Sequence, residues 1–518
     1  MVGAPSWTRH LAPTGPFADA SAGLAPATSA TAPWEAHWAA APERPTLHDP
    51  TAGWLTAGGL EERSRAAALG FLGAGLVPGD RVVVSAGASV AAVVAYVGAL
   101  RAGMVVVPVN TEYREAEVAH IVRDAAPRAA VVDDRERGAW VTAASAGPVA
   151  VTSLDVDPPA GPGRGAGAGG DLPARGPADP ALLIYTSGTT GAPKGALLSH
   201  GNLVAGIEAL RLAWRWEPGD RLTHTLPLFH LHGLGAGING SLQAGASVLL
   251  RPRFDAADVT ASARDLGATL FFGVPTMYGR LATHPGLAGL GGLRLCVSGS
   301  APLPPDVFAA VRAGSGQAPL ERYGATETML TVSNPYDGER RPGAVGFPLP
   351  GVELRLATDT DTDADGGPGA ARGEIEVRGP MVFSGYWGRP EATAESFAAG
   401  GWFRTGDIGE LDAEGYLHIV GRSKELIISG GFNVYPREVE EALRAHPAVA
   451  EVAVAGVPSD AWGEAVTAWV VAAAPVDEAS VLAHARERLA PYKCPKAVRF
   501  VDALPRNALG KVLRHELA

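Results

Sequence analysis

Ten residues from Thr186 to Gly195, Thr-Ser-Gly-Thr-Thr-Gly-Ala-Pro-Lys-Gly, concentrate hydroxyls, three glycines and a lysine. That chemistry suits a polyphosphate. Glycines such as Gly188 let backbone N–H groups turn around an anion, the hydroxyls of Thr186, Ser187, Thr189 and Thr190 donate to its oxygens, and Lys194 offsets its charge. The spacing is not that of a Walker A loop, in which Gly-Lys-Ser/Thr opens a helix. A Gly/Thr-rich surface turn has the same composition, so the loop needs partners. Further segments carry polar groups in compact order: Gly299-Ser300-Ala301-Pro302, Glu321-Arg322-Tyr323-Gly324-Ala325-Thr326-Glu327, Arg404-Thr405-Gly406-Asp407, Gly421-Arg422-Ser423-Lys424, and Pro505 to Lys511. Taken singly, Asp407 could cap a turn, Glu327 could be a solvated carboxylate, and Arg422 could be a surface charge.

In this order the segments resemble the adenylate-forming superfamily of acyl-CoA synthetases, adenylation domains and luciferases, from about residue 45 to the end of the chain. The resemblance implies ATP, Mg2+ and coenzyme A as ligands. A carboxylate would attack the α-phosphorus of ATP, and the thiol of coenzyme A would then displace AMP. By the same resemblance Ser300, Ala301 and Tyr323 flank the adenine, with Glu321, Arg322 and Gly324 in the same ATP-binding segment. Thr326 contacts the α-phosphate, Glu327 holds magnesium, and Asp407 and Arg422 grip the ribose hydroxyls. Lys511 matches the family's catalytic lysine, which offsets the charge that develops as two anions meet. Thr186, Lys194 and His230 are the other catalytic candidates, Lys194 by assisting departure of pyrophosphate. Lys424 matches the hinge about which a C-terminal domain rotates between the two steps. Gly430, Gly431 and Phe432 match the loop that then lines the pantetheine tunnel.

Two segments bear on the acid. Leu226 to Gly233 resembles the family segment whose first histidine lines the acyl pocket, which makes His230 a substrate contact and leaves His232 a packed neighbour. In Gly273 to Arg280, synthetases for plain fatty acids generally place a small or apolar residue where Arg280 stands, whereas arginine there resembles the malonyl-CoA synthetases. Its planar fork suits a second, non-reacting carboxylate. The expectation is a small dicarboxylic acid, malonate or also methylmalonate, with Met329 and Leu330 limiting the α-substituent. An Arg280 pointing to solvent from a helix that begins near Pro275 is the plain alternative. A medium-chain or aryl acyl-CoA synthetase and a non-catalytic nucleotide-binding relative compete with this reading. Retention of Lys511, Glu327 and Asp407 weighs against the second.

These residues need a scaffold. Apolar runs such as Arg81 to Val84, Val105 to Pro108, Ala129 to Val132, Leu182 to Tyr185, Ser247 to Leu250, Leu270 to Gly273 and Leu293 to Val297 alternate with helical stretches. This predicts a large α/β N-terminal domain with mainly parallel sheets, its function at strand ends. After about Gly421 the pattern changes to a small α+β C-terminal domain: strand Glu425 to Ile428, helix Arg437 to His446, strands Val449 to Gly456 and Ala465 to Ala472, and helix Glu478 to Ala490 capped by Asp477. The expected division is a loose tail over 1–40, an adenylation domain over 41–422 and a mobile domain over 424–518, hinged at Lys424. Residues 158–180 and 358–369, rich in Gly, Pro, Asp or Thr, look like surface linkers.

Composition narrows the classes. A net charge of -11 over 518 residues argues against broad contact with nucleic acid. Two distant cysteines, Cys296 and Cys494, indicate neither a disulfide framework nor a zinc site, and a reducing cytoplasm is the simplest location. Residues 82–100 carry no charge and are long enough to span a bilayer, but Ser85-Ala-Gly-Ala-Ser89 divides them into a strand and an Ala-rich helix. No membrane partner and no secretory signal are expected.

Overall fold

The computed structural model describes residues 6–18, 24, 28–154, 170–186, 193–357, 372–429, 432–459, 462–507 and 510–517. Met1–Leu354 with Val377–Phe403 forms one compact unit, and Arg355–Glu376 with Arg404–Ala518 forms another. No helix among the described residues is long and apolar enough to cross a membrane.

The first unit contains two sheets. In one, the strands run in the order Gly385–Tyr386, Lys194–Ser199, Pro180–Thr186, Val105–Pro108, Arg81–Ser85, Ala129–Val132 and Ala150–Ser153. From Pro180–Thr186 onward all neighbours are parallel, as buried Val-rich runs without alternation require. The uncharged stretch does split, into strand Arg81–Ser85 and helix Val90–Arg101, where the Ser89 hydroxyl caps by accepting from the Ala92 N–H. Every residue of that helix except Ala91 is buried, which explains the missing polar face.

The second sheet orders Gly53–Thr56, Pro45–Asp49, Ser247–Leu250, Arg221–His224, Leu270–Gly273, Leu295–Ser298 and Leu320–Ala325, then Met329–Ser333 and Ala344–Pro348. Its inner strands are parallel, so their C-terminal ends open on one edge. Residues 225–233, 274–280, 299–302 and 326–328 come directly after those ends or after the next turn, and that edge therefore gathers the motifs.

The first forty residues are not loose where they are described. Helix Ala32–Ala40 buries Trp34 and Trp38, exposed by only 1% and 3%, and full burial of such large apolar side chains stabilises each by roughly 2–3 kcal/mol. Glu35 pairs with Arg101 at 3.1 Å, the Ala30 N–H donates to His200 Nδ1 at 3.2 Å, and His10 Nε2 lies 3.1 Å from the Phe347 carbonyl. Ala/Pro/Thr composition hid this anchoring, because two tryptophans suffice to dock a short helix.

In the second unit, Trp402–Leu411 and Leu417–Arg422 form an antiparallel pair with Asp407 opposite Arg422. A further sheet joins Phe432–Val434, Ile427–Ser429, Gly463–Ala472 and Val449–Ser459, with Ala497–Phe500 parallel to Gly463–Ala472. Helices Pro436–Arg444 and Glu478–Arg486 cover it, burying Val439, Leu443, Val481 and Ala485. Asp477 caps the second helix by accepting from the Ser480 N–H at 2.8 Å. This unit takes in Arg355–Glu376 as well as everything from Arg404 onward, so it begins upstream of the expected boundary. Lys424 sits exposed in the 3-10 turn Ser423–Glu425.

Candidate active site

The phosphate loop springs from a hairpin. Pro180–Thr186 pairs antiparallel with Lys194–Ser199, which places Thr186 opposite Lys194. The Thr186 hydroxyl donates to the Lys194 carbonyl at 3.4 Å. Ser187, Gly188, Thr189 and Thr190 lie outside the described residues. Lys194 Nζ stands 5.4 Å from the Tyr386 ring centroid, and the Tyr386 hydroxyl donates to Glu327 Oε1 at 2.8 Å. Burial and the Glu327 charge push the phenol well above its ordinary value, so it stays a proton donor.

Tyr386 thus joins two expected site residues that the sequence left 133 positions apart (327 − 194). Nothing in the sequence around it announces chemistry. Its place is set by strand Gly385–Tyr386, which pairs with Ala196 and Leu197 beside the loop. Glu327, partly exposed and held by the Tyr386 hydroxyl, is of the type that suits a magnesium ion taking one carboxylate plus phosphate oxygens. That ion would supply charge neutralisation at the phosphates.

Around the adenine-directed segments, Ser300 and Tyr323 are partly exposed and Ala301 is exposed, as are parts of Gly324 and Thr326. Ser300 holds φ 73°, a left-handed value unusual for a residue with a side chain, and its Oγ lies 3.3 Å from His232 Nδ1. Such strain persists where neighbours over-determine it, as at binding sites. The Glu321 carboxylate accepts from the backbone N–H groups of Leu303 at 3.0 Å and Gly343 at 3.1 Å, and the residue is 3% exposed, so this side chain braces the loop.

Met329 is buried, 1% exposed at φ 54°, and its sulfur packs against Gly206 of helix His200–Ala213. The turn that puts it there depends on Gly324, where a Cβ would stand 2.0 Å from the Met329 carbonyl oxygen. Leu330 is 3% exposed.

His230 and His232 end the segment after strand Arg221–His224. The His232 N–H donates to His230 Nδ1 at 3.3 Å, and His232 stacks on Phe272. Burial, reinforced by the positive charge of Arg322, pushes His230 down to about 4 and His232 well below its usual value. Both are neutral near pH 7, so neither contributes charge to binding an acid. Arg280 departs from expectation. It lies exposed on helix Pro275–Ala282 with its guanidinium 4.8 Å from the Phe254 ring centroid, because the neighbouring Tyr278 and Leu281 take the buried face.

In the second unit, Arg422 Nε lies 2.9 Å from Asp407 Oδ1, and Asp407 is 4% exposed. Lys511 joins them. Burial and the charge of Arg422 lower its pKa below that of a free lysine, opposed by Glu425 and Asp407. Its backbone N–H donates to Asn507 Oδ1 at 3.0 Å, closing the terminal loop. Phe432 is 47% exposed and stacks on Tyr492 with centroids 4.7 Å apart; Gly430 and Gly431 lie outside the described residues.

Residues 34–387 match the AMP-binding enzyme family and 438–511 its C-terminal domain. A sulfoacetate–CoA ligase of Cupriavidus necator is 39% identical over 92% of this chain and 94% of its own length. ATP-bound MatB from Rhodopseudomonas palustris is 41% identical, covers 95% of this chain and 98% of that one, and superposes with a TM-score of 0.87. A malonyl-CoA ligase holding methylmalonyl-CoA and AMP is 40% identical, with 94% and 100% coverage and a TM-score of 0.64. The chain therefore belongs to the AMP-binding enzyme family and is an AMP-forming acyl-CoA ligase, which uses ATP to activate a carboxylic acid as its adenylate and passes the acyl group to coenzyme A.

Proposed function

We propose that the acid is small and carries a second anionic group, with malonate the foremost candidate and methylmalonate next. The observation that carries this is Arg280. Its guanidinium is held over Phe254 and has no ion-pair partner among the described residues, so its donors are available to an oxyanion. Relatives spanning nearly the whole chain support the reading, since sulfoacetate and methylmalonate both carry a second anion beside the reacting carboxylate. Exposure of Arg280 makes its contribution a partly screened one.

In this reading, the Thr186–Lys194 loop takes the triphosphate and Glu327, steadied by Tyr386, takes magnesium. Tyr323, Ser300 and Ala301 hold the adenine, and Asp407 with Arg422 hold the ribose. Lys511 meets the reacting carboxylate and α-phosphate, and rotation about Lys424 then exchanges it for the pantetheine side, where exposed Phe432 offers an apolar contact. Arg280→Ala is expected to raise the malonate KM by about two- to fivefold, the equivalent of one exposed, screened charge contact, with the ATP KM unchanged. Steady-state kinetics with malonate and ATP varied separately test this; an unaltered malonate KM contradicts a role for Arg280.

A further inference from the structure

We propose that His120 and Asp124, one turn apart on helix Glu115–Ala125, are positioning residues that fix the direction in which Lys194 leaves its hairpin; this rests on the reading that Lys194 meets the triphosphate. Residues four apart share one face of a helix, and this face grips both arms of the phosphate loop. On the arm before the loop, the Tyr185 hydroxyl donates to Asp124 Oδ2 at 2.7 Å. On the arm after it, His120 Nε2 lies 3.1 Å from the Pro193 carbonyl. A carbonyl only accepts, so Nε2 carries the proton. The same imidazole meets the Tyr185 ring edge to face, with centroids 6.4 Å apart.

Lys194 is where these bonds converge. Its pairing with Thr186 is the last of the hairpin, so strand pairing does not reach Pro193. The Pro193 carbonyl, on one side of Lys194, is held by His120, and the Gly195 carbonyl, on the other, accepts from the Trp387 backbone N–H at 2.8 Å. Asp124 supports that second side too. Its backbone carbonyl accepts from Trp387 Nε1 at 3.2 Å, and its Oδ1 accepts from Arg389 at 2.7 Å. The Lys194 side chain is exposed and long, and fixing both peptide groups that flank it limits where its ammonium reaches before nucleotide arrives. Burial and the bond to Asp124 push the Tyr185 phenol well above its ordinary value, so it stays a donor.

His120→Phe keeps a ring against Tyr185 and removes the donor, whereas His120→Gln restores an N–H near the same place. The phenylalanine variant should bind ATP about three- to tenfold more weakly, read by calorimetry without acid or coenzyme A, the loss expected for one hydrogen bond. Its ATP KM should rise in step, with the malonate and coenzyme A KM values unchanged. Thioester formation from supplied adenylate, which has no β- or γ-phosphate to meet Lys194, should stay within about twofold of the parent. The glutamine variant should recover most of the ATP affinity. If the phenylalanine variant does not fold, Tyr185→Phe, which releases the opposite arm, carries the same expectation. Unchanged ATP affinity, a glutamine variant no better than the phenylalanine one, or equal loss in both half-reactions overturns the proposal. Lys194→Ala separates the two levels. If it leaves ATP affinity unchanged, the phosphate role of Lys194 fails; if it weakens ATP and His120→Phe does not, only this inference fails.

Discussion

Replacing Lys511 with alanine should lower the rate of adenylate formation by about a hundredfold to a thousandfold, the usual loss when one preorganised donor to developing charge is removed. Thioester formation from supplied acyl-adenylate and coenzyme A should be nearly unchanged. The asymmetry comes from placement. Lys511 lies with Asp407 and Arg422 in the second unit, partly buried, where a cation is already desolvated before substrate arrives. Pyrophosphate exchange measures the first half-reaction, and release of AMP from isolated adenylate measures the second. Equal loss of both would show that Lys511 supports the fold or binds nucleotide generally.

Acid should unfold the first unit well before its carboxylates titrate. His10, His200 and His224 are 1%, 0% and 1% exposed, and burial pushes each down to about 4 from 6.5. Below pH 6.5 the unfolded chain takes up protons that the folded one refuses, so the unfolded state binds more protons throughout this window. The stabilisation is complete above pH 6.5 and is lost progressively as pH falls to about 4. Each site accounts for roughly 3 kcal/mol, and three together rival the ~5–15 kcal/mol that holds an ordinary domain folded. Thermal melts at pH 7, 6 and 5 should show a steep decline below 6.5. A flat profile would mean that these rings accept protons in the folded state.

Much of the scaffold was legible because buried parallel strands are short Val- and Leu-rich runs whose pattern is local. The strand and helix within residues 82–100, and the Asp477 cap, are of this kind. Features that depend on packing between distant segments were not. The anchoring of residues 28–40 rests on Trp34, Trp38 and a bond to His200 that is 170 positions away. Tyr386 reaches Glu327 across 59 positions through a two-residue strand that has no periodicity to detect.

The candidate site shows the same division. Motif positions identified the segments, but not which way each side chain turned. Glu321 and Arg322 stand side by side in one strand. One carboxylate is spent on backbone N–H groups and the other side chain is an unpaired buried cation. A left-handed turn at Met329 carries its sulfur against Gly206, a direction the motif did not announce. Arg280, the residue that named the acid, proved to be on the open face of its helix with its guanidinium over Phe254, a direction that the motif alone did not give.

The most direct test is to incubate the protein with ATP, Mg2+ and coenzyme A and separately with malonate, methylmalonate, sulfoacetate, butyrate, octanoate and ferulate, and to resolve AMP and acyl-CoA by chromatography. The predicted result is equimolar AMP and acyl-CoA, with malonate or another acid bearing a second anion turned over at least about a hundredfold more efficiently than butyrate. Turnover of butyrate, octanoate or ferulate above that of every doubly anionic acid would contradict it.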